Sequence, residues 1–257
     1  VTILERIAAG NFHEPDGLRA LHLGAADPDL MELLRVDLAT LIGEYPPSVV
    51  KAGQHVTGWT RPKGQVRQWS LFNRHGRTDD TSDDFTYGQH LARKRPLPLP
   101  GIVRLAGGLP DLVNLRLNVI SPGAALSPHE EHLPRPVGSD CVALRARFHL
   151  PLVTNPDALM LADGHLLHFT AGAVWFFGNG CVHGAENNGS EDRAHLVWDQ
   201  LLTTRALDAM FGGTPPEWLA QDLRDVEPVR TVEVTGWAPS KGMTRAEFGR
   251  RKLVPHP

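Results

Sequence analysis

Apolar residues recur at helical spacing between positions 27 and 45. Leu30, Leu34, Leu38, Leu41 and Ile42 fall on one stripe, behind an Asp27 that can cap and a Pro28 suited to the first turn. This predicts a helix packed against the outside of a core. From 51 to 100 the pattern weakens into short apolar pieces, HVTGW and VRQWSLF, separated by RPKG, RHGRTDDTSDD and RKRPLPLP. Loops and edge strands are expected there. Between about 112 and 202 the texture changes to short runs of strand character: LVNLRLNVI, CVALRARFHLPLV, ALMLA, HLLHF, AVWFF and AHLVWDQLL. They are broken by turn chemistry in SPG, TNPD, ADG, TAG and NNGS.

ALMLA and HLLHF flank Asp163-Gly164, a favoured two-residue hairpin turn, and Thr170 to Gly172 leads into the next run. Antiparallel strands at such short spacing close most naturally into a double-stranded β-helix, a jelly-roll barrel of the cupin kind. The expected fold is therefore mainly β, with flanking helices. After Leu202 the pattern reads as helical again, in TTRALDAMF and PPEWLAQDL, before a polar, basic tail whose main apolar anchor is Trp237. Three parts follow: an N-terminal helical and loop segment over 1–110, a jelly-roll core over 111–204, and a C-terminal helical lobe and tail over 205–257.

A chain of 257 residues suits one domain with a substantial interior. Its 26 basic and 29 acidic residues leave a formal charge of -3 with both signs scattered, which excludes a nucleic-acid stripe or a polybasic membrane patch. Small molecules are the expected partners. The two cysteines, Cys141 and Cys181, form no CxxC pair, so a disulfide scaffold or zinc ribbon is excluded. No signal-like or membrane-length apolar run is present, and a cytoplasmic protein is expected.

Candidate chemistry begins in SPGAALSPHEEH. His129 and Glu131 are two apart, so on an extended segment both side chains point to one face and can reach one ion. His183, in GNGCVHGAENNG, lies far enough downstream for hairpins to return its strand beside the first. Two imidazoles and a carboxylate make the facial triad of non-haem iron(II), which leaves positions open for a co-substrate and oxygen. Arg193 opens RAHLVWD and could aim a guanidinium into the barrel as a bidentate carboxylate clamp. Buried there, it needs an anionic partner. Arg147, His149 and Pro151 share a face opposite Phe148, Leu150 and Leu152; that polar face either lines the cavity or lies in solvent. His165 and His168 read as structural or surface histidines, Trp175 and Phe176 as core, and Cys181 as small apolar filler.

Over roughly Asn114 to Gln200 the sequence resembles the aspartyl/asparaginyl β-hydroxylase-like Fe(II)/2-oxoglutarate oxygenases, which include bacterial proline hydroxylases and related amino-acid hydroxylases. The matching segments are ISPGAALSPHEE, RFHLPLVTNPDALM, GAVWFFGN before Val182-His183, and NNGSEDRAHLVWD. The resemblance implies His129, Glu131 and His183 as metal ligands and catalytic centre. It implies Arg193 as the 2-oxoglutarate anchor, with Arg147 and His149 near the co-substrate or the substrate carboxylate. The family usually has aspartate, or no acid, where this chain has Glu131; the longer side chain either ligates directly or sits behind a water, and His132, three residues past His129 on an extended segment, would face the other way.

The implied reaction is hydroxylation of an sp³ carbon of an amino acid or a derivative, with Fe(II), O2 and 2-oxoglutarate, which is decarboxylated to succinate and CO2. Arg147, Arg116 and the arginines within 61–77 and 245–251 are candidates for holding the substrate carboxylate. Two other readings stand beside it: a hydroxylase of protein or peptide side chains, and a non-catalytic cupin-like binding protein. Arg193 discriminates against the last, because a simple metal binder needs no carboxylate clamp.

Overall fold

The stripe of Leu30, Leu34 and Leu41 forms one side of a helix, Pro28–Glu44, capped by the Asp27 side chain, which accepts from the Asp29 amide. Ile42 departs from the expected stripe and is largely exposed. The computed structural model describes residues 1–47, 65–73, 99–131, 133–237 and 242–257. The expected segments HVTGW, RPKG, RHGRTDDTSDD and most of RKRPLPLP lie outside the described residues, as does His132.

In chain order the elements are α1 (Ile3–Gly10), β1 (Ala20–Ala26), α2 (Pro28–Glu44), β2 (Val66–Phe72) and α3 (Pro100–Gly107). There follow β3 (Leu112–Ile120), β4 (Ala125–His129), β5 (Arg135–Val137), β6 (Cys141–Ala143), β7 (Arg145–Val153), β8 (Ala158–Ala162) and β9 (His165–Leu167). Next come β10 (Ala173–Phe177), β11 (His183–Asn187), β12 (Arg193–Leu201), α4 (Thr204–Phe211), β13 (Leu219–Asp225), β14 (Arg230–Thr231), α5 (Arg245–Gly249) and β15 (Lys252–Leu253).

Two antiparallel sheets face each other. The major sheet runs β13-β1-β10-β7-β12-β3-β2 and the minor β14-β9-β8-β11-β4; a small third sheet, β15-β6-β5, sits beside them. Side chains of both sheets meet in one interior cluster, with Ile120, Trp175 and Phe177 from the major sheet packing on Met160, Ala162 and Ala185 from the minor one. This is the double-stranded β-helix expected from the strand pattern. The outer face of the major sheet carries the larger core, where Leu117, Phe148, Leu150, Phe176 and Trp198 pack against Ile7, Leu30, Leu34, Ile102 and Leu105 of the helices. Covered on both sides, β7 is buried along nearly its whole length, and its alternation sorts Phe148, Leu150 and Leu152 outward to the helices while Arg147 and His149 face inward.

Three expectations need correction. PPEWLAQDL does not continue as helix: Leu219–Asp225 is strand β13, which pairs with β1 at the sheet edge. Gly24 makes that pairing possible, since a Cβ there would meet the Ala220 carbonyl oxygen at 2.1 Å. In the N-terminal segment β2, over VRQWSLF, is an edge strand as expected there, but β1, Ala20–Ala26, was not expected and joins the major sheet. CVALRARFHLPLV is two strands, broken at Leu144, with β6 diverted into the small sheet.

Candidate active site

β4 and β11 are neighbours, and their register places His129 directly opposite His183. Glu131 lies just beyond the end of β4. Donor atoms of His129, Glu131 and His183 all lie within 4.8 Å of one another, the one such cluster of three or more metal-binding side chains among the described residues. The two imidazole centroids are 4.1 Å apart, and His129 Nε2 is 4.0 Å from Glu131 Oε1.

Each imidazole is oriented by a backbone carbonyl two residues upstream: His129 Nδ1 is 2.7 Å from the Ser127 oxygen and His183 Nδ1 is 3.0 Å from that of Cys181. Those bonds make each Nδ1 a donor and turn each Nε2 into a lone pair. His183 Nε2 is buried with no hydrogen-bond partner in the protein. Burial, and then the neighbouring His129, push the His183 imidazole down to about 3, so it is neutral at any working pH. Burial, an orphaned lone pair, a second imidazole and a carboxylate fit a divalent metal ion.

Glu131 is heavily engaged. Arg147 grips it as a fork, Nη1 to Oε1 at 2.9 Å and Nη2 to Oε2 at 2.7 Å, while Arg145 Nη2 and Asn179 Nδ2 reach Oε2 at 3.2 and 2.9 Å. Burial alone would raise its carboxyl, but Arg147, then His183 and Arg145, hold it well below the usual range. On its other edge Arg147 bonds Asp199 through Nε at 2.8 Å and Nη2 at 3.0 Å.

Arg193 lies deeper, only 2% exposed. Its Nη2 donates to His195 Nδ1 at 2.8 Å and touches the Met160 sulfur, and no carboxylate among the described residues pairs with it. Burial pulls its guanidinium down to about 9, still charged at neutral pH. His149 stands beside this pair, with Nδ1 3.4 Å from His195 Nδ1 and its ring against Phe169 and Phe177. Burial, and then the Arg193 charge, keep both imidazoles neutral, and the Nε2 of each is buried without a partner. His195 Nδ1 accepts from Arg193, so its Nε2 carries the proton and offers a donor to an incoming anion.

A cleft of about 690 Å³ reaches Glu131 from outside, lined by Pro134, Arg135, Arg145, Met243, Glu247 and Arg251 among others. The other candidates fall elsewhere. His165 and His168 bond backbone carbonyls of Asp163 and Ala158, Trp175 and Phe176 are core, and Cys181 is buried against the Gly178 carbonyl with its thiol pushed far up by burial. Trp237 anchors the tail by donating Nε1 to Glu130 at 2.8 Å. The sequence reading missed Arg145, Asn179, His195 and Asp199. Three of these were visible in principle, because Arg145 shares the alternation of Arg147 and His149, and His195 and Asp199 that of Arg193.

A jelly-roll interior with a two-histidine, one-carboxylate cluster and a buried arginine that has no acidic partner among the described residues is an arrangement suited to Fe(II) and a dicarboxylate co-substrate. Residues 86–201 match the family model described as aspartyl/asparaginyl beta-hydroxylase. Among solved structures, a Pseudomonas putida prolyl-4-hydroxylase is 18% identical, over 77% of this chain and 98% of that one, with a TM-score of 0.38. A viral collagen prolyl hydroxylase from Paramecium Bursaria Chlorella virus-1, in a 2OG complex, is 11% identical over 72% and 97%, at 0.39. The non-heme alpha ketoglutarate dependent epimerase SnoN from nogalamycin biosynthesis is 18% identical over 88% and 95%, at 0.42. No curated protein sequence matches the chain.

Proposed function

We propose that this protein hydroxylates an sp³ carbon of an amino acid or an amino-acid derivative, with His129, Glu131 and His183 holding Fe(II) and Arg193 anchoring 2-oxoglutarate. The observation that carries the reading is Arg193. A buried guanidinium with no acidic partner costs several kcal/mol unless a ligand supplies the counter-charge. It lies in the same interior as the histidine strands, against Met160, and would hold the distal carboxylate of a co-substrate bound there.

When bound, Fe(II) with 2-oxoglutarate and O2 supplies the oxidising power, releasing succinate and CO2 as oxygen is delivered to substrate. The chain's own residues do the rest. His129 and His183 present their Nε2 atoms to the metal in orientations fixed by the Ser127 and Cys181 carbonyls. Arg193, with the His195 Nε2–H beside it, receives the distal carboxylate of the co-substrate as a charge-assisted pair. His149 lines that pocket, and Phe169, Trp175 and Phe177 exclude water around it. Arg147 lines the cavity with its guanidinium turned to Glu131 and Asp199.

The substrate enters through the cleft at Glu131, whose volume suits a small molecule rather than a folded protein surface. Arg135 and Arg251 in its walls support recognition of a substrate carboxylate, with Met243 beside them as an apolar contact. The test is succinate formation from 2-oxoglutarate with Fe(II) in air, against pooled amino acids and simple N-acyl derivatives, with mass spectrometry of the products. Substrate-stimulated succinate and a product heavier by one oxygen are expected. Stimulation by peptides alone would move the substrate to a protein side chain, and absence of turnover with every pool would contradict the proposal.

A further inference from the structure

Glu131 sits on the segment after β4, outside any strand, and has one more rotatable bond than the aspartate usual at this position. Its carboxylate is nevertheless fixed. Oε2 accepts from Arg147, Arg145 and Asn179, whereas Oε1 accepts from Arg147 and is the oxygen that faces His129 Nε2 at 4.0 Å. The Glu131 amide also donates to the Asn179 carbonyl at 3.2 Å.

The rigid end of this arrangement is Asp199, at 1% exposure in β12, in the middle of the major sheet. The register sets it beside Arg147 on β7 and Asn114 on β3, and Asn114 Nδ2 donates to Asp199 Oδ2 at 3.0 Å. A guanidinium is planar, so engaging two of its edges fixes both position and tilt. With Asp199 on one edge and Glu131 on the other, the fork cannot swing away from the carboxylate it presents.

We infer that Asp199 is a positioning residue, acting through Arg147 to aim Glu131 Oε1 at the metal. The inference rests on the reading of Glu131 as a metal ligand. Asp199 also divides the charge of Arg147. Without it, Arg147 turns wholly to Glu131, whose oxygens become poorer donors to a cation. Outer partners of metal-binding carboxylates commonly change metal affinity by about 10- to 100-fold.

The experiment is an anaerobic calorimetric titration of Fe(II) into four proteins: wild type, Asp199→Asn, Glu131→Ala and the double variant. Asp199→Asn should weaken Fe(II) binding about tenfold in the wild-type background and by less than about twofold once Glu131 is alanine. A full tenfold loss in both backgrounds, or no loss from Asp199→Asn alone, overturns the inference, because Asp199 then acts on the core or not at all. Unchanged affinity in Glu131→Ala by itself overturns the ligand reading, and this inference with it. Should Asp199→Asn fail to fold by circular dichroism, Arg147→Lys, which keeps the charge and loses the fork, goes through the same cycle with the same expectations.

Discussion

Arg193 and His183 are the residues whose replacement separates co-substrate binding from metal binding. Arg193→Ala removes a charge-assisted pair, so the KM for 2-oxoglutarate should rise about 100-fold, equivalent to roughly 3 kcal/mol, while Fe(II) affinity stays within about twofold. His183→Ala should reduce Fe(II)-dependent succinate formation to background; undiminished turnover would remove the proposed site. At this scale much of the site was legible. The two-residue spacing of His129 and Glu131 on extended backbone, and the placement of Arg193 at the start of a strand, are period-2 statements that need no coordinates. Asn179 was not legible, because it is 48 residues from Glu131 in sequence and meets it only through the turn before β11. The engagement of Arg147 by two carboxylates was hidden for the same reason: a sequence shows that a residue faces inward, not what stands opposite.

Between elements, two close contacts carry predictions. Gly184 lies opposite the extra residue of a bulge in β4, and a Cβ there would meet the Leu126 carbonyl oxygen at 2.8 Å. Gly184→Ala should therefore pry the histidine strands apart, lowering Fe(II) affinity about tenfold and stability by about 1–2 kcal/mol, read by titration and by thermal unfolding. Asp37, fully buried on α2, accepts from the Ile102 amide at 2.7 Å and so caps α3, whose own N-cap residue Leu99 gives no side-chain bond. Burial raises the Asp37 carboxyl to about 6 from an ordinary 3.8, against the pull of the Ile102 and Gly101 amides. Because the folded state then holds this proton more tightly than the unfolded chain, the Asp37 contribution to stability is greatest at low pH and falls as pH rises from about 4 through 6. Relative to Asp37→Asn, the wild-type protein should lose up to about 3 kcal/mol between pH 4 and 7, and a pH-independent difference in denaturant midpoints would contradict this. The helix over 28–44 and the Asp163-Gly164 hairpin, with φ of 52° and 81°, were readable because caps and turns are local. Strand β13 was not, since its pairing with β1 across some two hundred residues outweighs a helical pattern in PPEWLAQDL.

At the level of the whole molecule, the jelly roll explains why the chemistry and the packing sit on opposite faces of one sheet. Outward-facing leucines and aromatics of β3, β7, β10 and β12 bind the helices, leaving the inward face free for arginines, histidines and Asp199 in a water-poor interior. The core strands announced this by their alternation. The segments that form β1 and β13 did not, because they become strands only by completing a sheet whose centre lies elsewhere in the chain. No helix among the described residues is long and apolar enough to cross a membrane. The most direct test of the site as a whole is an anaerobic calorimetric titration of 2-oxoglutarate into the protein with and without Fe(II). If the histidine pair, Glu131 and Arg193 hold metal and co-substrate together, 2-oxoglutarate should bind at least about tenfold more tightly with Fe(II) present; equal binding with and without the metal, or none in either case, would contradict the assignment.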